Sequence, residues 1–330
     1  MGTSALFAAW IGWHLGGKVA TRTFDDTVTA LVALAATLAC WQAGRAHSGR
    51  LRQFWQLLAV ALAAWTFAET VWAIYDLVLK VPVPVPSWAD LGYLGAIPFA
   101  AAALLSHPAM HQRRPRKARA ALDGVVTAMA LLFVSWTLVL GPLWRQTDLS
   151  TLGGVVAVAY PFGDIVMLFL VVLVLRSMRN GDRFGLWCVL GGIVAMAVAD
   201  STYTYLSEVG SYSTGNMVDV GWVVGYLFLG LGAFGASPQP VEEVAPERAP
   251  SLVSVIVPFV PVLVALVTLA VEIRLGHKLL FTDWVMALAL TLFAIGRQAL
   301  AVFDGFVPAG ADGPLPPGAA QDLAGEPVVP

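Results

Sequence analysis

Four acidic residues are each followed, three positions on, by an aromatic residue: Glu69–Trp72, Asp90–Tyr93, Asp200–Tyr203 and Asp219–Trp222. Residues three apart share a helix face, so each pair would present a carboxyl group beside a ring. That combination suits a cation. A hard metal ion would use the oxygens, and an organic ammonium would also use the ring faces. A proton is the third candidate. Asp76 lies two helical turns beyond Glu69 on the same face. Asp164 closes the run Tyr160-Pro161-Phe162-Gly163-Asp164, where proline and glycine can break a helix. Glu69, Trp72, Asp76, Asp90, Tyr93, Asp164, Asp200, Tyr203, Asp219 and Trp222 form the candidate ligand-binding set. The residues name no particular metal or cofactor.

These carboxyl groups are unusual in a chain of this composition. Of 330 residues, 58 % are hydrophobic and only 12 % charged, and the mean hydropathy is +0.76. Soluble domains carry about twice that charged fraction. Composition therefore excludes a soluble globular or disordered chain and indicates an all-α polytopic membrane protein. The net charge of −2 gives no nucleic-acid footprint. Cys40 and Cys188 sit in apolar runs and read as buried free thiols.

A helix needs roughly 20 apolar residues to cross the bilayer. Nine segments qualify: 27–42, 54–79, 88–105, 121–140, 153–175, 184–206, 217–236, 252–273 and 283–303. A tenth, 4–20, is also read as a span despite His14 and Lys18, giving about nine to ten transmembrane helices. Residues 1–303 form the membrane domain. Residues 304–330, rich in Pro, Gly and Ala, are expected to be a disordered cytoplasmic tail. The start has no basic stretch ahead of its apolar run, so no cleaved signal peptide is expected. One set of alternate loops carries twelve Lys and Arg, including Arg45, Arg50, Arg52 and 113–119; the other carries six. The positive-inside rule then puts the C-terminus in the cytoplasm of a multi-pass plasma-membrane protein.

In this layout Glu69 and Asp200 lie sixteen residues, about 24 Å, from the inner ends of their helices. A charged carboxylate at mid-helix costs on the order of 3 kcal/mol even on lenient scales. The spans bring no Lys or Arg to that depth. Such groups must be protonated, hydrogen-bonded to Tyr or Trp, or facing a cavity. Six of the seven tyrosines, all but Tyr226, fall in the same outer half or its loops. Asp90 and Asp219 also have a structural reading: Ser87…Asp90 and Asn216…Asp219 have capping-box spacing.

The stretches 68–72 (Ala-Glu-Thr-Val-Trp) and 199–203 (Ala-Asp-Ser-Thr-Tyr) resemble each other, and each is followed by a loop and a second acid. The spacing predicts a parallel internal repeat relating spans 54–79 and 88–105 to spans 184–206 and 217–236. His107 and His111 lack a third metal ligand, and 113–119 reads as a topology anchor. No hydrolase, zinc-protease or phosphate-loop motif is present, so no enzyme is expected.

The segments 86–94, Ala159-Tyr-Pro-Phe-Gly-Asp164 and 199–222 resemble the multi-span N-terminal sensor region of actinobacterial GGDEF/EAL proteins, which make or degrade cyclic di-GMP. No GGDEF, EAL, PAS or kinase motif accompanies them. The resemblance implies a stand-alone, bacterial sensor-like module that signals to a separate cytoplasmic protein. It marks Asp90, Asp164, Asp200 and Asp219 without giving their role. The expected function is a membrane receptor for a small cation or proton. The alternatives are a small-cation or proton-coupled transporter or channel, and a structural or assembly subunit of a membrane complex.

Overall fold

The computed structural model describes residues 2–111, 117–141, 150–177, 184–208, 210–235, 260–276 and 279–306. The expected tail beyond 306, the acidic loop 236–259 and most of the basic cluster near 113 lie outside the described residues. Ten helices follow in order: α1 (Gly2–Trp13), α2 (Gly17–Ala46), α3 (Gly49–Ala73), α4 (Trp88–Ser106), α5 (Lys117–Ser135), α6 (Leu152–Ser177), α7 (Phe184–Glu208), α8 (Asp219–Phe234), α9 (Val260–Arg274) and α10 (Phe281–Phe306). No strand occurs among the described residues. Helices α3 and α5 each widen into a π-type turn at their ends, Ile74–Leu79 and Trp136–Leu140.

Among the described residues five helices are long and apolar enough to cross a membrane: α2, α3 with its π turn, α4, and the greater part of α6 and α7. Their outward faces stay apolar, with Leu31, Leu34, Leu38, Val60, Phe67, Val194 and Val198 all exposed. A helix that is apolar on its outer side belongs in lipid.

Two expectations at the N-terminus are corrected. Residues 4–20 are not one span. Helix α1 ends at Trp13, about 18 Å long at 1.5 Å per residue, because His14, Gly16 and Gly17 all take positive φ. Helix α2 then begins at Gly17 rather than at Thr27. The charged stretch 18–26 is its first turns, which brings Asp25 and Asp26 inside the bundle.

Six helices make a closed ring in the order α2, α3, α4, α6, α7, α8, with α8 returning to α2. Helices α5, α9 and α10 pack together beside it, and α5 touches α6. Phe7 and Ile11 hold α1 against Val223 of α8. At one end the ring is filled by a dense apolar core: Ala36, Ala39 and Cys40 of α2, Phe54 and Leu58 of α3, Ala103 and Leu104 of α4, Val174 of α6, Val189 of α7 and Leu229 of α8. Both cysteines are free and buried.

Two hairpins in the ring cross in the same way. A Cβ on Gly92 of α4 would sit 2.8 Å from Ala68 Cβ and 2.7 Å from Ala64 O of α3. A Cβ on Gly221 of α8 would sit 2.8 Å from Ala199 Cβ and 3.4 Å from Ala195 O of α7. Each glycine lies two residues after an acid, and each alanine one residue before one. Without a hydrophobic force between helices in lipid, such close backbone approach is a main source of association. Gly92→Ala and Gly221→Ala should each destabilise by about 1–3 kcal/mol through overpacking. Gly95→Ala meets nothing within 4 Å and should be neutral or stabilising, as read by thermal unfolding in detergent.

At the apolar end, just past α4, His107 packs edge-on to Phe54 at 5.0 Å. Burial holds its imidazole down at about 4, below the ordinary 6.5. Below 6.5 the unfolded chain takes up a proton that the folded chain refuses, so stability falls as pH drops from about 6.5 to about 4. His107→Gln should flatten that part of the stability–pH curve.

Candidate functional site

The opposite end of the ring holds a cavity of about 300 Å³. It is built from the first turns of α2, α4, α6 and α8 and the last turns of α3 and α7, roofed by Val83–Val85 and by Tyr212 and Thr214. Seven carboxyl groups line it: Asp25, Asp26, Glu69, Asp90, Asp164, Asp200 and Asp219. Trp65, Trp72, Tyr93, Tyr160, Tyr203, Tyr212, Trp222 and Tyr226 supply its rings, and among the described residues the lining contains no Lys, Arg or His.

Nine of the ten residues singled out by spacing are therefore brought together. The exception is Asp76. It is buried in the π turn after α3 and forms an ion pair with Arg22 of α2, away from the lining. Arg22, itself exposed, supplies a cation in α2 that the sequence reading did not place in a span. The sequence reading also missed Asp25, Asp26, Trp65 and Tyr226. The acids at 25 and 26 interrupt the hydropathy signal of α2, and Tyr226 lies about one turn further past Asp219 than Tyr93 lies past Asp90.

The carboxyl groups do not bond to the aromatic residues three positions along their own helices. A side chain three positions on stands beside the carboxyl group, whereas a partner element stands opposite it. Tyr226 donates to Glu69 at 2.8 Å, and Tyr93 also reaches that carboxyl group. Trp222 Nε1 donates to Asp200 at 2.7 Å. Tyr160 donates to Asp90 Oδ1 at 2.6 Å. Asp90 also closes a complete capping box with Ser87, its Oδ2 accepting the Ser87 N–H at 2.6 Å. The structural and the cavity readings of Asp90 thus hold together.

Asp219 is held by the loop before α8. Its Oδ2 accepts the Gly215 and Asn216 N–H groups, each at 2.8 Å, and its Oδ1 accepts the Tyr212 hydroxyl at 3.0 Å. Asn216 makes only the return half of a capping box, since its own side chain accepts from Val218. The same Gly215 N–H reaches Asp25 Oδ2 at 3.0 Å. Gly215 sits at φ +88, a conformation that favours glycine. Burial, then the neighbouring Asp219 and Asp25 carboxyl groups, push the Tyr212 hydroxyl well above its ordinary value. Tyr212 therefore remains a proton donor to Asp219 at neutral pH.

Two pairs of carboxyl groups lie within hydrogen-bonding reach of each other: Asp25 with Asp219, and Asp164 with Asp200. Like charges this close require a proton or a cation between or beside them. Asp25 Oδ1, Asp26 Oδ2 and Asp164 Oδ2 are buried and have no hydrogen-bond partner. Asp25 is 3 % exposed and Asp26 6 %. Pro161 adds to the polarity, because it has no N–H for the carbonyl of Ala157, itself a lining residue. Among the described residues no three His, Cys, Asp or Glu converge on a point that would hold a metal ion.

Removing one donor isolates the value of these contacts. Tyr226→Phe leaves Glu69 with Tyr93 and should destabilise the protein by about 1–3 kcal/mol. Tyr205, 64 % exposed, provides the control: Tyr205→Phe should leave the thermal midpoint unchanged.

No protein-family profile, curated protein or solved structure matches the chain.

Proposed function

We propose that the chain is a membrane receptor module that binds a small organic cation in this cavity and relays its occupancy to a cytoplasmic partner. One observation carries the reading: seven carboxyl groups and eight rings surround one cavity, with no cationic side chain among the described residues of its lining. The volume, about ten times the roughly 30 Å³ share of one liquid water, suits a molecule better than a bare ion. The absence of a three-ligand cluster among the described residues also favours an ammonium over a metal.

Charge counting sets the cavity end outward. Arg45, Arg50 and Arg52 lie at the far end of α2 and the start of α3, which the positive-inside rule assigns to the cytoplasm. The C-terminus then follows on that side of a bacterial plasma membrane, the setting that the sensor-region resemblance implies. We read the matched hairpins α3–α4 and α7–α8 as one repeated unit. In each, the first acid bonds to the aromatic residue three positions after the second: Glu69 with Tyr93, Asp200 with Trp222.

The floor of the cavity favours reception over conduction. Below Glu69 and Tyr226 the ring is packed mostly with Ala, Leu, Phe and Val, which offers few polar steps for a transported cation. The reading is of a binding protein rather than an enzyme or an assembly subunit.

The test is the thermal stability of the purified chain in detergent, scanned against metal cations, choline-like amines and polyamines. An amine should raise the midpoint saturably, by the equivalent of about 2.7 kcal/mol at a hundred times its Kd. Glu69→Gln and Asp200→Asn should abolish the shift. No shift with any amine overturns the reading. Amine uptake into proteoliposomes that depends on Asp200 would replace reception with transport.

A further inference from the structure

The carboxyl groups around the cavity are grouped, and the grouping restricts the ligand. One pair, Asp25 with Asp219, joins α2 to α8. The other, Asp164 with Asp200, joins α6 to α7. A continuous aromatic wall connects them. Tyr212 donates to Asp219, its ring meets Tyr203 at 4.6 Å, Tyr203 meets Trp222 at 5.8 Å, and Trp222 donates to Asp200. Trp72 packs on the same Tyr203 at 6.3 Å. An unbroken run of rings therefore joins the two carboxyl pairs.

Each end retains an unsatisfied oxygen. Asp25 Oδ1 and Asp26 Oδ2 at one end, and Asp164 Oδ2 at the other, belong to residues that line the cavity and are buried without a hydrogen-bond partner. Asp25 and Asp26 are more than nine-tenths buried. A single quaternary ammonium has no N–H to satisfy any of them and would fill one end only. A primary ammonium donates three hydrogen bonds. Two such groups on one chain would satisfy both ends at once, and the connecting methylenes would lie along the rings.

Resting on the cation-receptor reading above, we propose that the ligand is an aliphatic diamine or polyamine. It places one ammonium at Asp25–Asp219 and a second at Asp164–Asp200, with its methylene chain along Tyr203 and the rings on either side.

Calorimetric titration of the full chain in nanodiscs tests this with putrescine, cadaverine, spermidine, n-butylamine and choline. At least one diamine or spermidine should bind roughly 100-fold tighter than n-butylamine, because the second ammonium then binds intramolecularly. Asp25→Asn and Asp164→Asn should each bring the diamine to within about threefold of n-butylamine measured on the same variant. The comparison of amines on the unmodified chain needs no variant to fold. Butylamine or choline binding as tightly as every diamine overturns the two-ended ligand and leaves the cation receptor standing. If none of the five binds, both readings fall.

Discussion

A carboxyl group inside hydrocarbon must find donors or a counter-charge, or the helix that carries it loses several kcal/mol. This chain places seven of them around one cavity, and the ring of six helices is the solution to that demand. Tyr226 and Tyr93 meet Glu69 from two other helices. Tyr160 meets Asp90 from a third. Two backbone N–H groups of the loop before α8 converge on Asp219. Among the seven cavity acids, only Asp90 also makes a capping-box contact at the start of its own helix. The tertiary arrangement is therefore fixed as much by polar bookkeeping at one end as by packing at the other.

The two ends use opposite residue sizes for that reason. At the apolar end, small residues let backbones approach: Gly185 lies against Gly232, and Gly230 against Ala36. At the cavity end, Trp and Tyr hold the helices apart and supply the donors. The Gly92–Ala68 and Gly221–Ala199 crossings lie between these regimes, next to Glu69 and Asp200. A hairpin that crosses tightly one residue before its acid keeps that carboxyl group on the cavity side of the crossing.

The sequence made the acids legible where they interrupted an otherwise apolar helix far from any cap, as at Glu69, Asp164 and Asp200. Spacing also found Trp72, Tyr93, Tyr203 and Trp222, because a residue three positions on lines the same wall. It could not find the partner across the gap. Tyr226 is the principal donor to Glu69, yet 157 residues separate them. Asp25 and Asp26 were hidden for a different reason: hydropathy ended α2 at its first charges, while the helix continues to Gly17 because Arg22 has Asp76 to pair with. The same ion pair removes Asp76 from the cavity that its helical face suggested.

The two halves of the ring differ in one informative respect. Asp90 and Asp219 both open helices that enter from the cavity end, and each meets the helix preceding the other hairpin. Asp90 meets a hydroxyl donor, Tyr160. Asp219 meets another acid, Asp25. A phenol satisfies a carboxylate and ends the demand at that position, whereas a second carboxyl group doubles it. Asp164, one turn past Tyr160 on α6, restores an unsatisfied oxygen to the first half, but against Asp200 rather than Asp90. The unmet demand is thus divided between two places on the cavity wall, α2–α8 and α6–α7, instead of being concentrated at one point. A compact ion would answer one side, and an elongated cation answers both.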